Sequence, residues 1–241
     1  MNYAVIFAGG MGQRMGNASV PKQFLLVHSK PIIVHTIEHF QKASCIDAIV
    51  VVCLYDYLEY MKSLLSQYGL DKVVSVVSGG NCGQQSIFFG LKELERLYGV
   101  HENDIVLIHD GVRPLINEDL IQANVDCVKQ NGSSVTVSKA IETIVLLNEA
   151  STVDKVMDRQ YCNVAKAPQA FYLKDILSCH LQAIRQKKFD FIDSAMLMQH
   201  YGYKIHTVLS HNENLKITTP LDYYLFRAIL EAKENEQLGL R

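Results

Sequence analysis

The stretch Tyr3-Ala4-Val5-Ile6-Phe7-Ala8 runs without a break into Gly9-Gly10-Met11-Gly12-Gln13-Arg14-Met15. An apolar run with no polar alternation reads as a strand covered on both faces. The glycines that follow let the backbone turn tightly and bring N–H groups close to an anion. Arg14 and, in Pro21-Lys22-Gln23-Phe24-Leu25, Lys22 add positive charge suited to a polyphosphate. Two familiar phosphate loops do not fit. A Walker A loop needs Gly-Lys-Ser/Thr, whereas Lys22 stands between Pro21 and Gln23, and a dinucleotide fingerprint needs a glycine where Met15 stands.

The rhythm set by this first strand continues outward. Further apolar runs at 48–54, 72–77, 105–109, 134–138 and 204–208 read as strands. Between them lie helical patterns: Ile32, Ile33, Ile37 and Phe40 after Pro31; Leu58, Met61, Leu64 and Leu65; Ile87, Leu91, Leu94 and Leu97; Leu120, Ile121, Val125 and Val128. Pro31 suits the first helical position. Later helices are expected at 174–185, 194–201 and 220–235. The alternation predicts an α/β fold with an open, mostly parallel sheet. Ligands of such sheets bind outside the carboxyl ends of the strands, which brings forward the loops 9–22, 78–86 and 110–114. Residues 140–171 break the rhythm. They read as a β-rich excursion with strands at 143–147 and 153–156, either an arm on a partner chain or a surface hairpin.

Composition narrows the function. The 241 residues fit one sizeable domain, and 49% hydrophobic residues exclude intrinsic disorder. Lys plus Arg is 23 against 25 Asp plus Glu, a net charge of −2 with no basic block. That argues against a protein built to grip a nucleic-acid backbone, but not against a small anionic ligand. No apolar run has membrane-spanning length, and no leader pattern precedes the first strand. The six cysteines form no C-x-x-C pair, and we read them as reduced thiols in a cytoplasmic protein. His35 and His39 share a helix face without a third ligand nearby in sequence, and read as ordinary histidines.

Taken together, the motifs resemble a known family. Ala-Gly-Gly-x-Gly-x-Arg-Met (8–15) followed by Pro-Lys-Gln-Phe-Leu (21–25) is similar to the signature loop of nucleotidyltransferases that activate sugar or polyol phosphates. Ser78-Gly79-Gly80 with Ser86, His109-Asp110-Gly111-Val112-Arg113-Pro114, Ala140–Ile144, Ala167-Pro168-Gln169 and Asn214-Leu215-Lys216-Ile217-Thr218 extend the likeness along the chain in order. It points to the cytidylyltransferase branch that acts on ribitol 5-phosphate or 2-C-methyl-D-erythritol 4-phosphate. The implied fold is a Rossmann-like open sheet of the nucleotide-diphospho-sugar transferase type. The whole chain, 1–241, would be a single domain with a protruding dimerisation arm at about 140–171.

The resemblance implies attack of a phosphate monoester on the α-phosphorus of CTP. No protein nucleophile is needed; the enzyme aligns two anions and absorbs the charge that develops. By resemblance, Ala8, Gly9, Gly10, Gly12, Gly79, Gly80, Asn81 and Ser86 bind CTP, while Arg14, Lys22 and Lys216 are the catalytic cations. Asp110 would hold Mg²⁺ or another divalent cation, with Glu213 a further ligand. Arg113, Thr143, Arg159 and Asp193 would bind the polyol phosphate, Thr143 and Arg159 from the neighbouring subunit of a homodimer with shared sites. The alternative for Asp110 is a turn carboxylate bonded to Arg113, and for Asp193 a helix cap compatible with a site role.

Some positions depart from the pattern. Asn81-Cys82-Gly83-Gln84-Gln85 replaces a charged stretch that usually contains an arginine, while Ala167 and Ile192 replace hydroxyl residues near the polyol phosphate. The Ala-Gly-Gly opening and Glu142-Thr143-Ile144-Val145 sit closer to the ribitol branch. The methylerythritol phosphate reaction is the alternative, and a non-catalytic nucleotide-binding protein the rival from another class. No nucleic-acid or membrane partner is expected.

Overall fold

Strand β1 (Asn2–Ala8) lies at the centre of a seven-stranded sheet and is buried along almost its whole length. The computed structural model describes residues 1–10 and 20–237. After β1 come a two-strand ribbon, β2 (Leu26–Val27) and β3 (Lys30–Pro31), and helix α1 (Ile32–Lys42). The alternation continues with β4 (Ala48–Cys53), α2 (Leu58–Tyr68), β5 (Val73–Ser78), α3 (Gly83–Tyr98), β6 (Ile105–Asp110), α4 (Glu118–Asn131) and β7 (Ser133–Lys139). A hairpin, β8 (Val145–Leu147) and β9 (Val153–Val156), precedes β10 (Asn163–Tyr172) and α5 (Leu173–Arg185). The chain continues through α6 (Ser194–His200), β11 (Thr207–Leu209) and α7 (Pro220–Gln237).

The strand order is β11-β7-β10-β6-β1-β4-β5. All neighbours run parallel except β10, which is antiparallel to both β6 and β7. Strand side chains alternate between faces, and the core divides accordingly. Ala4, Ile6 and Ala8 of β1 pack with Phe40, Met61, Leu64 and Val125 on one face, whereas Tyr3 and Val5 pack with Leu91, Leu94, Ile176 and Leu197 on the other. A third cluster, with Ile32, Val112, Ile217 and Phe226, seats α7 beside the carboxyl end of the sheet. The chain turns back at β1, since β4 and β5 lie on one side of it and β6 on the other. That is the switch point at which open α/β sheets form their ligand crevice.

Three expectations are corrected. The excursion was expected to reach residue 171, but residues 163–172 form the interior strand β10, and only the segment before it, with β8 and β9, projects. The strand expected at 204–208 is β11 at 207–209. Lys204 and His206 are instead engaged by the Ser133 hydroxyl, which donates to Lys204 O (2.7 Å) and accepts from His206 N (3.1 Å). Pro31 is not the first helical residue: it has extended backbone (φ −60, ψ 142) and pairs with Leu26 before the helix begins.

Candidate active site

Ala8 ends β1 and Asp110 ends β6, in neighbouring registers on the sheet. Gly111 N donates to Phe7 O (2.9 Å) and Gly79 N to Cys53 O (2.7 Å), so the loops after three strands leave the sheet together. Ser86, buried near the start of α3, ties them. Its hydroxyl accepts from Gly80 N (3.1 Å) and donates to Cys82 O (3.0 Å). A Cβ at Gly9 or at Gly79 would lie 3.0 Å from that hydroxyl oxygen, and one at Gly79 would lie 3.3 Å from the Gly9 Cα. Glycine at both positions therefore answers a close approach of two backbones. Gln23, also buried, donates to Ala8 O (2.7 Å) and Gly10 O (3.3 Å), which anchors the short helical turn carrying Lys22.

Two cavities open from this crevice. The larger, about 680 Å³, is walled by Ala8, Gly9, Gly10, Lys22, Asn81 and Ser86, with Gly80 beside them. The smaller, about 300 Å³, is walled by Arg113, Lys166, Gln169, Phe191 and Asp193, with His180 also on its wall. Phe7, Gly83, Asp110 and Lys216 line both and so mark where they meet.

The junction is a charge cluster. Lys216 Nζ lies 2.5 Å from Asp110 Oδ1, and Arg113 Nε donates to Asp110 Oδ2 (3.3 Å). Arg113 Nη1 also donates to Asn214 O (2.9 Å), which connects the β6 loop to the loop carrying Lys216. Burial opposes ionisation of Asp110, but the Lys216 and Arg113 cations outweigh it and hold the carboxyl below its ordinary range. Beneath it, burial drives His109 down to about 4, so this ring is neutral at pH 7.

Asp193 is a helix cap and also lines the smaller cavity. One carboxylate oxygen caps α6 by accepting from Met196 N (2.8 Å), and the other accepts from Gln169 Nε2 (2.9 Å) on the cavity wall. Asp110 likewise makes the turn contact with Arg113 while facing both cavities. Hard divalent cations are commonly held by one or two carboxylates together with substrate phosphates, and Asp110 fits that pattern. Among the described residues no group of three or more His, Cys, Asp and Glu converges on a metal position, and His35 and His39 belong to none.

Other expected residues lie elsewhere. Glu213 is not brought to Asp110: it pairs with Lys233 (3.3 Å) and lines a separate cavity beside Asn117 and Ser210. Thr143 and Arg159 are exposed on the projecting segment, where Arg159 Nη1 donates to Ile141 O (2.9 Å), and neither lines the two cavities of this chain. Gly79 packs behind Gly9 and faces neither cavity. Gly12 and Arg14 lie outside the described residues. Sequence reasoning missed Gln23, Lys166 and Gln169 as site residues. Gln23 and Gln169 carried a signal, since both stand inside quoted motifs.

A family model described as IspD, 2-C-methyl-D-erythritol 4-phosphate cytidylyltransferase, matches residues 2–232. The chain belongs to the IspD family. Membership makes it a CTP-dependent nucleotidyltransferase. Among curated IspD-family relatives, the ribitol-5-phosphate cytidylyltransferase of Streptococcus agalactiae serotype Ia is 53% identical over 238 residues, 99% of each chain. The ribitol-5-phosphate cytidylyltransferase of Vibrio parahaemolyticus serotype O3:K6 is 47% identical, again over 99% of each. Among solved IspD-family structures, 4-diphosphocytidyl-2C-methyl-D-erythritol synthase from Anaerococcus prevotii superposes with a TM-score of 0.81 at 26% identity, covering 95% of this chain and 98% of that one.

Proposed function

We propose that this chain transfers CMP from CTP to D-ribitol 5-phosphate, giving CDP-ribitol and pyrophosphate. The observation that carries the reading is the meeting of two cavities at Asp110 and Lys216. The larger offers backbone and Lys22 to a triphosphate, and the smaller offers cations and amide groups to a phosphorylated polyol. A phosphate oxygen of the polyol phosphate attacks the α-phosphorus of CTP, the bond to the β-phosphate breaks, and pyrophosphate leaves. Lys22 and Lys216 absorb the charge that builds on the α-phosphate, and Arg113 orients the second substrate. The identity of 53% to a ribitol-5-phosphate enzyme, against 26% to the methylerythritol synthase, favours ribitol 5-phosphate. The methylerythritol phosphate reaction is the second reading, since the matching family model carries that description.

Asp110, with the triphosphate oxygens, would hold Mg²⁺. When bound, such an ion supplies further positive charge to the phosphates. The protein would act as a homodimer in which Arg159 and Thr143 of the projecting segment reach the neighbouring site. The apolar surface of that segment supports this: Ile141, Leu146, Leu147, Val153 and Val156 are all exposed in the single chain. We place it in the cytoplasm. Among the described residues no helix is long and apolar enough to cross a membrane, and the six cysteines are unpaired.

The test is pyrophosphate release with each NTP, Mg²⁺ and a panel of polyol phosphates. Turnover with CTP and ribitol 5-phosphate, but not with methylerythritol phosphate, is expected. Preference for methylerythritol phosphate would transfer the assignment to the second reading, and silence with every pair would favour a non-catalytic nucleotide-binding role.

A further inference from the structure

The wall of the smaller cavity carries three cations and two carboxylates, and their pairing is uneven. Arg113 and Lys216 share Asp110. Asp193 is occupied by the helix cap and by Gln169. Lys166, half-buried on β10, has only carbonyl partners: its Nζ donates to Asn214 O (2.9 Å) and Asn212 O (3.1 Å). Among the described residues no carboxylate lies within ion-pair distance of it. An ammonium has three donors, and two carbonyls use two of them. The cavity therefore contains one cation whose charge no protein group neutralises, held in position by two fixed acceptors.

We propose that Lys166 binds the phosphate group of the second substrate from within the same chain, and that it is a substrate-binding residue of the reaction above. The inference rests on that reading of the smaller cavity. Three features support it. Burial and the neighbouring Arg113 cation lower the pKa of Lys166, and a dianion between the two groups would relieve that repulsion. Gly83, on the same wall, brings no side chain into the cavity, and a Cβ there would meet nothing within 4 Å, so room for a ligand is left on that side. Lys166 also grips the loop leading to Lys216, so the cation that meets the incoming phosphate and the cation at the junction are held by one connection.

A merely structural role, tying the 212–214 backbone to β10, makes a different prediction. Lys166→Gln keeps an N–H donor for the carbonyls and removes the charge; Lys166→Arg keeps the charge. In steady-state kinetics, Lys166→Gln should raise the KM for ribitol 5-phosphate about tenfold or more and leave the KM for CTP within about twofold, with Lys166→Arg recovering most of the loss. Independently of turnover, calorimetric titration with inorganic phosphate in saturating CMP should show binding to the wild type that weakens by a similar factor in Lys166→Gln. An unchanged KM for ribitol 5-phosphate, or both KM values rising together, overturns the proposal. So does a wild type that binds no phosphate, or that binds it no better than Lys166→Gln. A wild type that turns over no polyol phosphate refutes the substrate assignment alone, and the phosphate titration then decides the role of Lys166.

Discussion

Asp110 is held by a lysine from one loop and an arginine from its own, so its charge is fixed where the two cavities join. In the proposed reaction the cations around it carry the chemistry. Lys22→Ala and Lys216→Ala should each lower kcat by about 10²-fold or more, as loss of a group that stabilises transition-state charge does, with little change in melting temperature. A variant that keeps near-wild-type kcat removes that lysine from the mechanism. A second residue-scale prediction concerns pH. Burial lowers His180 from 6.5 to about 4. Between those values the unfolded chain binds a proton that the native chain does not, so stability falls as pH drops from 6.5 towards 4. The contribution is at most about 3 kcal/mol. Thermal unfolding should show a loss between pH 7 and pH 5 that shrinks in His180→Leu; an equal loss in the variant would assign the acid sensitivity elsewhere. Several site residues were legible because glycines, a proline and a charged residue recur in fixed order around them. Lys166 was not, because a lone lysine in a half-exposed strand has no local signature.

At the scale of elements, α3 lies against β1 and β4 through Gly90, where an added Cβ would sit 2.5 Å from Val5 Cγ1 and 2.9 Å from Val52 Cγ2. Both valines are fully buried. Gly90→Ala should thus destabilise by about 1–3 kcal/mol through overpacking, despite a helix-propensity gain of about 1 kcal/mol. Chemical denaturation checks the sign; a stabilised variant would mean that α3 can move off the sheet. The parallel strands and their helices were readable because buried runs and amphipathic periods differ in pattern. Strand β10 was not. Its first residues are exposed and its last are buried, and Pro168 interrupts it. Its register with β7 shifts between Ala165 and Gln169. A proline within an apolar run argues against an interior strand, and only the tertiary pairing of β10 with β6 and β7 overrides that local evidence.

For the whole molecule, a chain of net charge −2 concentrates Lys22, Arg113, Lys166 and Lys216 around one crevice. Total charge alone does not show this local concentration of cations, which is what a small anionic substrate would meet. The same scale holds the question of assembly. If Arg159 serves the neighbouring subunit, Arg159→Ala and Lys22→Ala homodimers should each be nearly inactive. Mixed after subunit exchange, they should regain about a quarter of wild-type activity, because half the dimers are mixed and each mixed dimer has one intact site. No recovery, or a monomer by light scattering, would return Arg159 to its own chain. In the proposed reaction a phosphate oxygen of ribitol 5-phosphate attacks the α-phosphorus of CTP where the two cavities meet, and pyrophosphate leaves. Mass spectrometry of the products formed from ribitol 5-phosphate labelled with heavy oxygen on its phosphate tests it most directly. The expected products are CDP-ribitol that retains every labelled oxygen and unlabelled pyrophosphate. Label in the pyrophosphate, or pyrophosphate formed without CDP-ribitol, would contradict it.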